Sequence, residues 1–245
     1  MLTRRDLGKL LVGAVVTTTA RADQTTPPAY GVDHFKLKVV NAGASAMFYY
    51  DLFGGEVVSV RNGTMPESPM VDEFFLKVGD AAFPYLMLSQ MAALDQPGLE
   101  HLAVLVNGSG ITRIWDADGR LVEIMSRPTW GGTSSTIQRP LPVNWKSLRP
   151  AFQPIALRRV KLLTTDPSHT AQFYGNLLGW QRAEAMLEFK PNPTPGLDRL
   201  VFSIHKMNSD HARRILRQRG IHTHGSRSDV LFRDVDGNLV ELVAR

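Results

Sequence analysis

The chain has 245 residues, 43% hydrophobic and 21% charged, an ordinary globular balance that excludes extensive disorder. It contains no cysteine, which excludes disulfides, zinc thiolate sites and cysteine nucleophiles. The formal charge of +5 falls to +2 once residues 1–22 are set aside, leaving 24 basic against 22 acidic residues, so the composition carries no nucleic-acid footprint.

Residues 1–22 read as an export signal. Thr3-Arg4-Arg5-Asp6-Leu7-Gly8-Lys9 resembles a twin-arginine motif, Leu10 to Val16 is a short apolar run, and Ala20-Arg21-Ala22 offers a small-x-small cleavage site. The run is well short of the ~20 residues a membrane span needs. A periplasmic or extracellular location is expected, with no membrane span in the mature chain. Residues 23–30 are expected to be a mobile linker into the fold.

Val32 to Val40 alternates, placing Phe35, Leu37 and Val39 on one face of a strand and His34, Lys36 and Lys38 on the other. Ala44 to Phe53 carries Met47, Phe48, Leu52 and Phe53 at helical spacing and ends at Gly54-Gly55, a left-handed stop. Glu56 to Val60 follows as a strand. Glu73 to Val78 and Phe83 to Gln90 are then expected to pair as a hairpin around Gly79-Asp80.

From here the chain repeats itself. Gly98-Leu99-Glu100-His101-Leu102-Ala103-Val104 answers to Gly196-Leu197-Asp198-Arg199-Leu200-Val201-Phe202. Asp116-Ala117-Asp118-Gly119-Arg120-Leu121-Val122-Glu123 answers to Asp234-Val235-Asp236-Gly237-Asn238-Leu239-Val240-Glu241. The helix end Phe48-Tyr49-Tyr50-Asp51-Leu52-Phe53-Gly54 returns as Phe173-Tyr174-Gly175-Asn176-Leu177-Leu178-Gly179, so His34 corresponds to Arg159. Between His101 and Glu123 there is only a short turn, whereas Ser209 to Gln218 supplies a helix between Arg199 and Glu241. In the other shortened stretch, Ala185 to Lys190 is expected as a strand before Arg199. Four modules result, the outer two whole and the inner two shortened. They divide into an N-terminal domain over 31–126 and a C-terminal domain over 154–245, joined by a Pro- and Gly-rich linker over 127–153 and each expected to bury its own core.

The paired modules, the Phe-Tyr-x-x-Leu-x-Gly helix end, the Gly-Leu-Glu-His strand and the Asp-x-Asp-Gly-x-x-x-Glu ending together resemble the vicinal oxygen chelate superfamily. That superfamily includes glyoxalase I, extradiol dioxygenases, methylmalonyl epimerase and antibiotic-resistance proteins. The resemblance covers nearly all of residues 31–245. It implies an α+β fold in which tandem βαβββ modules form curled mixed sheets, in two partly truncated domains.

His34, His101 and Glu123 each sit on an expected strand whose other face is apolar, and a curled sheet would point all three into one cavity. Two neutral imidazoles and one carboxylate with open positions form the facial triad of non-haem iron(II) sites. The resemblance implies these same positions for a divalent metal, iron(II) ahead of manganese or zinc. Such an ion would chelate two neighbouring oxygens of a small-molecule substrate and act as a Lewis acid. The strand ending at Gln90 supplies no fourth acid, so only Gln90 is placed to reach the ion. Tyr85, Lys36 and Gln90 are candidate bases by position. The alternative is a metal-free small-molecule binding or resistance module on the same fold, and a further one is a structural or interaction protein with both halves degenerate. A homodimer is left open.

In the second half Arg159 and Arg199 replace both histidines, and a guanidinium cannot ligate a cation. The C-terminal site is therefore expected to be degenerate, with Arg159 or Arg199 paired to Glu241. His222 and His224 read as an edge-strand surface pair rather than a metal site, and His169, His205 and His211 as surface residues. Trp115 and Trp130 lie near the Glu123 strand and are candidates for the wall of an aromatic pocket.

Overall fold

A computed structural model describes residues 29–62, 71–79, 84–108, 111–126, 138–139, 149–225 and 229–244. The expected export signal, Asp80 at the expected hairpin tip, and Trp130 lie outside the described residues.

The first half begins with β1 (Ala29–Val39), α1 (Ala42–Phe53), β2 (Glu56–Asn62), β3 (Val71–Lys77) and β4 (Tyr85–Gln90). A second module follows as β5 (Gly98–Val106), β6 (Ile111–Trp115) and β7 (Leu121–Met125), with no room for a helix. After β8 (Gln138–Arg139) come β9 (Pro154–Thr164), α2 (Pro167–Leu178), α3 (Trp180–Met186) and β10 (Leu187–Pro191). The last module is β11 (Gly196–Ile204), α4 (Ser209–Gln218), β12 (Thr223–His224), β13 (Val230–Arg233) and β14 (Leu239–Ala244).

Two mixed sheets result, one ordered β6-β7-β5-β1-β4-β3-β2-β8 and the other β10-β9-β11-β14-β13-β12. Each whole module runs first, fourth, third, second strand, with the first and fourth parallel. The shortened modules keep only part of that order, as β5-β7-β6 and β9-β10. Antiparallel pairing of β1 with β5, and of β9 with β11, joins two modules into each sheet. The fold is thus α+β, built from tandem modules as the repeats imply.

Local chemistry accounts for the helices. The Asn41 side chain caps α1 by accepting from the Ala44 N–H at 2.9 Å, and Gly54, at φ +63°, ends it by donating to the Tyr50 carbonyl. Asp166 caps α2 through the Ser168 and His169 N–H groups, with Pro167 in the first turn.

Four details depart from the sequence expectations. Ala29 and Tyr30 belong to β1 rather than to a linker, because Ala29 pairs with Val106 and its carbonyl accepts from Arg182. Within the expected linker, Gln138 and Arg139 pair with β2, and the Ala151 and Phe152 N–H groups donate to the Asp51 and Leu52 carbonyls at the end of α1. Helix α3 occupies residues through Met186, where a strand from Ala185 was expected. Its Trp180 ring covers Gly175, where any Cβ would meet the indole.

The fourth departure concerns the core. Phe35, Leu37, Leu86 and Leu102 of the first sheet share one buried cluster with Phe202, Phe232 and Leu242 of the second. Helix α1 lies against both sheets: Phe53 stacks on Phe202 with ring centroids 4.4 Å apart, and Phe48 meets Phe232 at 6.3 Å. The two halves therefore share a core that each was expected to build separately, with helices held between sheets. The other face of the first sheet carries His34, Lys36 and Lys38 of β1.

Candidate metal centre

The strands β1, β5 and β7 are neighbours, and His34, His101 and Glu123 lie on the same face of the sheet, opposite the shared core. Their convergence follows from strand adjacency, so it does not depend on curling the sheet. His34 Nε2 stands 3.1 Å from His101 Nε2, and Glu123 Oε2 stands 3.6 Å from His101 Nε2. One ligand atom from each residue lies within 4.8 Å of the others, the only such His and acid group among the described residues. Two donors sharing one ion at about 2.0–2.1 Å lie roughly 2.8–3.4 Å apart for right-angle or tetrahedral geometry. The imidazole pair meets that spacing and the carboxylate is close to it.

Two β-bulges bring in residues that strict alternation hides. Between Val32 and His34 the register slips by one residue, making Asp33 the extra residue of β1. Its fully buried carboxylate lies 2.7 Å from His34 Nδ1. A proton held on Nδ1 leaves the Nε2 lone pair directed toward His101 and Glu123. The second slip makes Glu100 the extra residue of β5, and its carboxylate reaches Lys36 at 3.3 Å.

Charge is arranged unevenly around the triad. Burial, with smaller contributions from His34, Lys36 and Arg113, pushes the His101 imidazole down to about 3, so it is neutral across the physiological range. Its Nδ1 is buried and has no hydrogen-bond partner among the described residues. Burial alone would lower Lys36, but Glu73 at 2.9 Å and Glu100 outweigh it and raise the ammonium above its ordinary value. Arg113 of β6 stands opposite Glu123 and approaches its Oε1 at 3.4 Å through Nε and Nη2.

The expected base candidates separate clearly. Lys36 is a committed cation. Gln90 pairs with Val39, which is in the core, so it lies on the helix-bearing side of β4 and does not reach the triad. Tyr85 is in register with His34 on the site face and is buried. Phe75 of β3 meets the His34 ring edge-on at 6.1 Å. At the turn before β7, a cleft of about 400 Å³ is lined by Glu100, Trp115, Asp118, Arg120, Pro195 and Gly196 and by none of the triad. Trp115 borders it and is 63% exposed, which makes it a rim rather than a buried wall.

The equivalent face of the second sheet holds ion pairs instead. Arg199 Nη1 and Lys161 Nζ converge on Glu241 Oε2 at 3.3 and 3.2 Å. Of the two expected partners, Arg199 is therefore the one that pairs with Glu241; Arg159 turns to Glu188 and the Glu184 carbonyl. Lys161 was not anticipated, although its repeat counterpart is Lys36. His222 and His224 are exposed, as are His169, His205 and His211.

Solved structures with the same architecture exist, though no family model and no curated protein matches the sequence. A catechol 2,3-dioxygenase aligns with a TM-score of 0.58 at 14% identity, covering 89% of each chain. A variant of homoprotocatechuate 2,3-dioxygenase from Brevibacterium fuscum gives 0.58 at 15%, over 90% of this chain and 72% of that one. A Mn(II)-bound glyoxalase from Novosphingobium aromaticivorans gives 0.57 at 13%, over 89% and 82%. The chain shares their fold. At these identities the likeness concerns architecture, and the site must be argued from its own residues.

Sequence reasoning reached His34, His101 and Glu123 but missed Asp33, Glu73, Glu100 and Arg113. Asp33 and Glu100 each adjoin a histidine, yet bulges are not visible in an alternating pattern. Arg113 had a weak signal, its place on the short strand that turns back beside Glu123.

Proposed function

We propose that the chain is an exported, metal-dependent protein of the vicinal oxygen chelate superfamily, of the extradiol dioxygenase or glyoxalase type. His34, His101 and Glu123 would hold a divalent ion, iron(II) in preference to manganese or zinc. The observation that carries this is the convergence of two imidazole Nε2 atoms and one carboxylate at ligand spacing on one sheet face. The metal-dependent reading draws further support from the neighbours, one of them Mn(II)-bound.

When bound, such an ion supplies Lewis acidity to two adjacent oxygens of a small substrate. The chain's own residues do the rest. Asp33 fixes the orientation and tautomer of His34. Neutral His101 needs no deprotonation before ligating. With Lys36 committed to carboxylates and Gln90 on the other face, Tyr85 is left as the proton-exchanging candidate. Export rests on the Arg4-Arg5 leader, and N-terminal sequencing of the secreted form tests it.

A second reading has one observation of its own. The 3.1 Å contact between the imidazoles is also a hydrogen-bond distance, which satisfies the pair without a cation and suits a metal-free binding module. Reconstitution decides. Iron(II)-loaded protein that consumes dioxygen with a catechol supports the dioxygenase branch, and manganese- or zinc-loaded protein that isomerises a hemithioacetal supports the glyoxalase branch. Failure to retain any of these metals would leave the binding module.

A further inference from the structure

Among the described residues near the triad, Arg113 is a cation that the reading above leaves without a role. On this face of β1, β5, β6 and β7 the described cations are Lys36, Lys38 and Arg113. Lys36 is held by Glu73 and Glu100, and Lys38 by Asp95 at 2.9 Å. Arg113 differs in both position and commitment. It stands on β6, the end strand of the sheet, its side chain 64% exposed while that of Glu123 is only 14% exposed.

Its contact with Glu123 is loose. Both approaches to Oε1 are 3.4 Å, near the limit for a hydrogen bond. An arginine that serves to clamp carboxylates looks different in this same protein. Arg120, nine-tenths buried, meets Asp116 at 2.6 Å and Asp118 at 2.9 Å. Arg113 touches Glu123 Oε1 and keeps most of its planar donor fork toward solvent. A guanidinium in that place matches a carboxylate in two-point geometry.

We propose that Arg113 is a specificity-determining residue that selects small acids: compounds whose two neighbouring oxygens are accompanied by a separate carboxylate. The inference rests on reading His34, His101 and Glu123 as a metal centre. On the open side, a divalent ion, Glu123 and Arg113 together carry two positive charges in excess. A ligand with one ionised chelating oxygen and one carboxylate balances them, whereas a simple catechol leaves one charge unmatched.

Zinc has no redox chemistry with which to oxidise a catechol, so zinc-loaded protein permits a binding measurement by calorimetry. The probes are catechol and dihydroxybenzoate, which share the vicinal oxygen pair and differ by one carboxylate. Wild-type protein should bind dihydroxybenzoate about tenfold or more tightly than catechol, the size expected for a charge-assisted hydrogen bond. Arg113→Gln should bring the two affinities to within about twofold while zinc is still bound, and Arg113→Lys should keep part of the preference. A wild-type protein with no preference, or an Arg113→Gln variant that retains it, overturns the assignment. Wild-type protein that takes up none of zinc, manganese and iron(II) overturns the metal centre, and this assignment with it.

Discussion

The Tyr49 hydroxyl donates a 2.7 Å hydrogen bond to Asp234, 185 residues away and in the other half of the chain. Its repeat counterpart makes the same bond in the opposite direction, from Tyr174 to Asp116 at 3.0 Å. The second aspartate of each motif completes the lock. Asp236 accepts from the Val40 N–H and the Ser45 hydroxyl, while Asp118 accepts from Thr165 and Thr170 at the corresponding positions. Each Asp-x-Asp-Gly turn therefore holds the start and middle of the other half's helix, and the two halves clasp each other twice.

Removing either phenol should weaken the whole protein. Tyr49→Phe and Tyr174→Phe each leave a buried carboxylate short of a donor, a loss of about 1–3 kcal/mol. Because the core is shared, each variant should unfold in one cooperative denaturant transition at a lower midpoint. Two transitions, with only one shifted, would contradict a common core.

Asp118 ties this clasp to pH. Burial would raise its carboxyl, but hydrogen bonds from Thr164 and Thr165 and the charge of Arg120 hold it down to about 2. A carboxyl depressed on folding stabilises the protein above its unfolded value near 4. That contribution is lost as pH falls from about 4 through about 2. Asp118→Asn should accordingly be less stable at neutral pH and show a flatter decline across this window in urea titrations. A decline as steep as that of the wild type would remove Asp118 from the account of acid sensitivity.

Around the triad, Asp33 offers a test that needs no substrate. Asp33→Asn retains the shape but weakens the hold on His34 Nδ1, and should lower cobalt(II) affinity by about tenfold in a spectroscopic titration. Unchanged affinity would mean that the bulged carboxylate does not orient the imidazole.

In the second sheet, Glu241 carries the charge of Lys161 and Arg199. Glu241→Gln leaves both cations without their shared carboxylate and should cost about 2 kcal/mol, less than for a fully buried pair because both cations retain some exposure. Metal retention by the first sheet should not change. No loss of stability would reject the reading of this face as ion pairs standing where a metal centre has been lost.

Much of this was legible in the sequence for a plain reason: period-two strands and repeated turn signatures report which residues share a sheet face. His34, His101 and Glu123 could be placed together on that basis, as could the four-module order. The bulges at Asp33 and Glu100 break the period without leaving a mark in residue type, so the carboxylates beside the triad were not foreseen. The shared core was hidden for a different reason. Repeats show which segments are alike but not which pack together, so the exchange of Tyr49 and Tyr174 between halves could be read only from coordinates. Gln90, five residues after Tyr85 on the same strand, falls on the opposite face, so strand alternation already separated the two candidates.

The central claim is a divalent metal held by His34, His101 and Glu123, and elemental mass spectrometry of protein purified without chelator tests it most directly, beside a His101→Ala variant. The account predicts near-stoichiometric iron, manganese or zinc in the wild type and its loss in the variant. Equal, negligible metal in both proteins would contradict it and make the facing imidazoles part of a metal-free binding site.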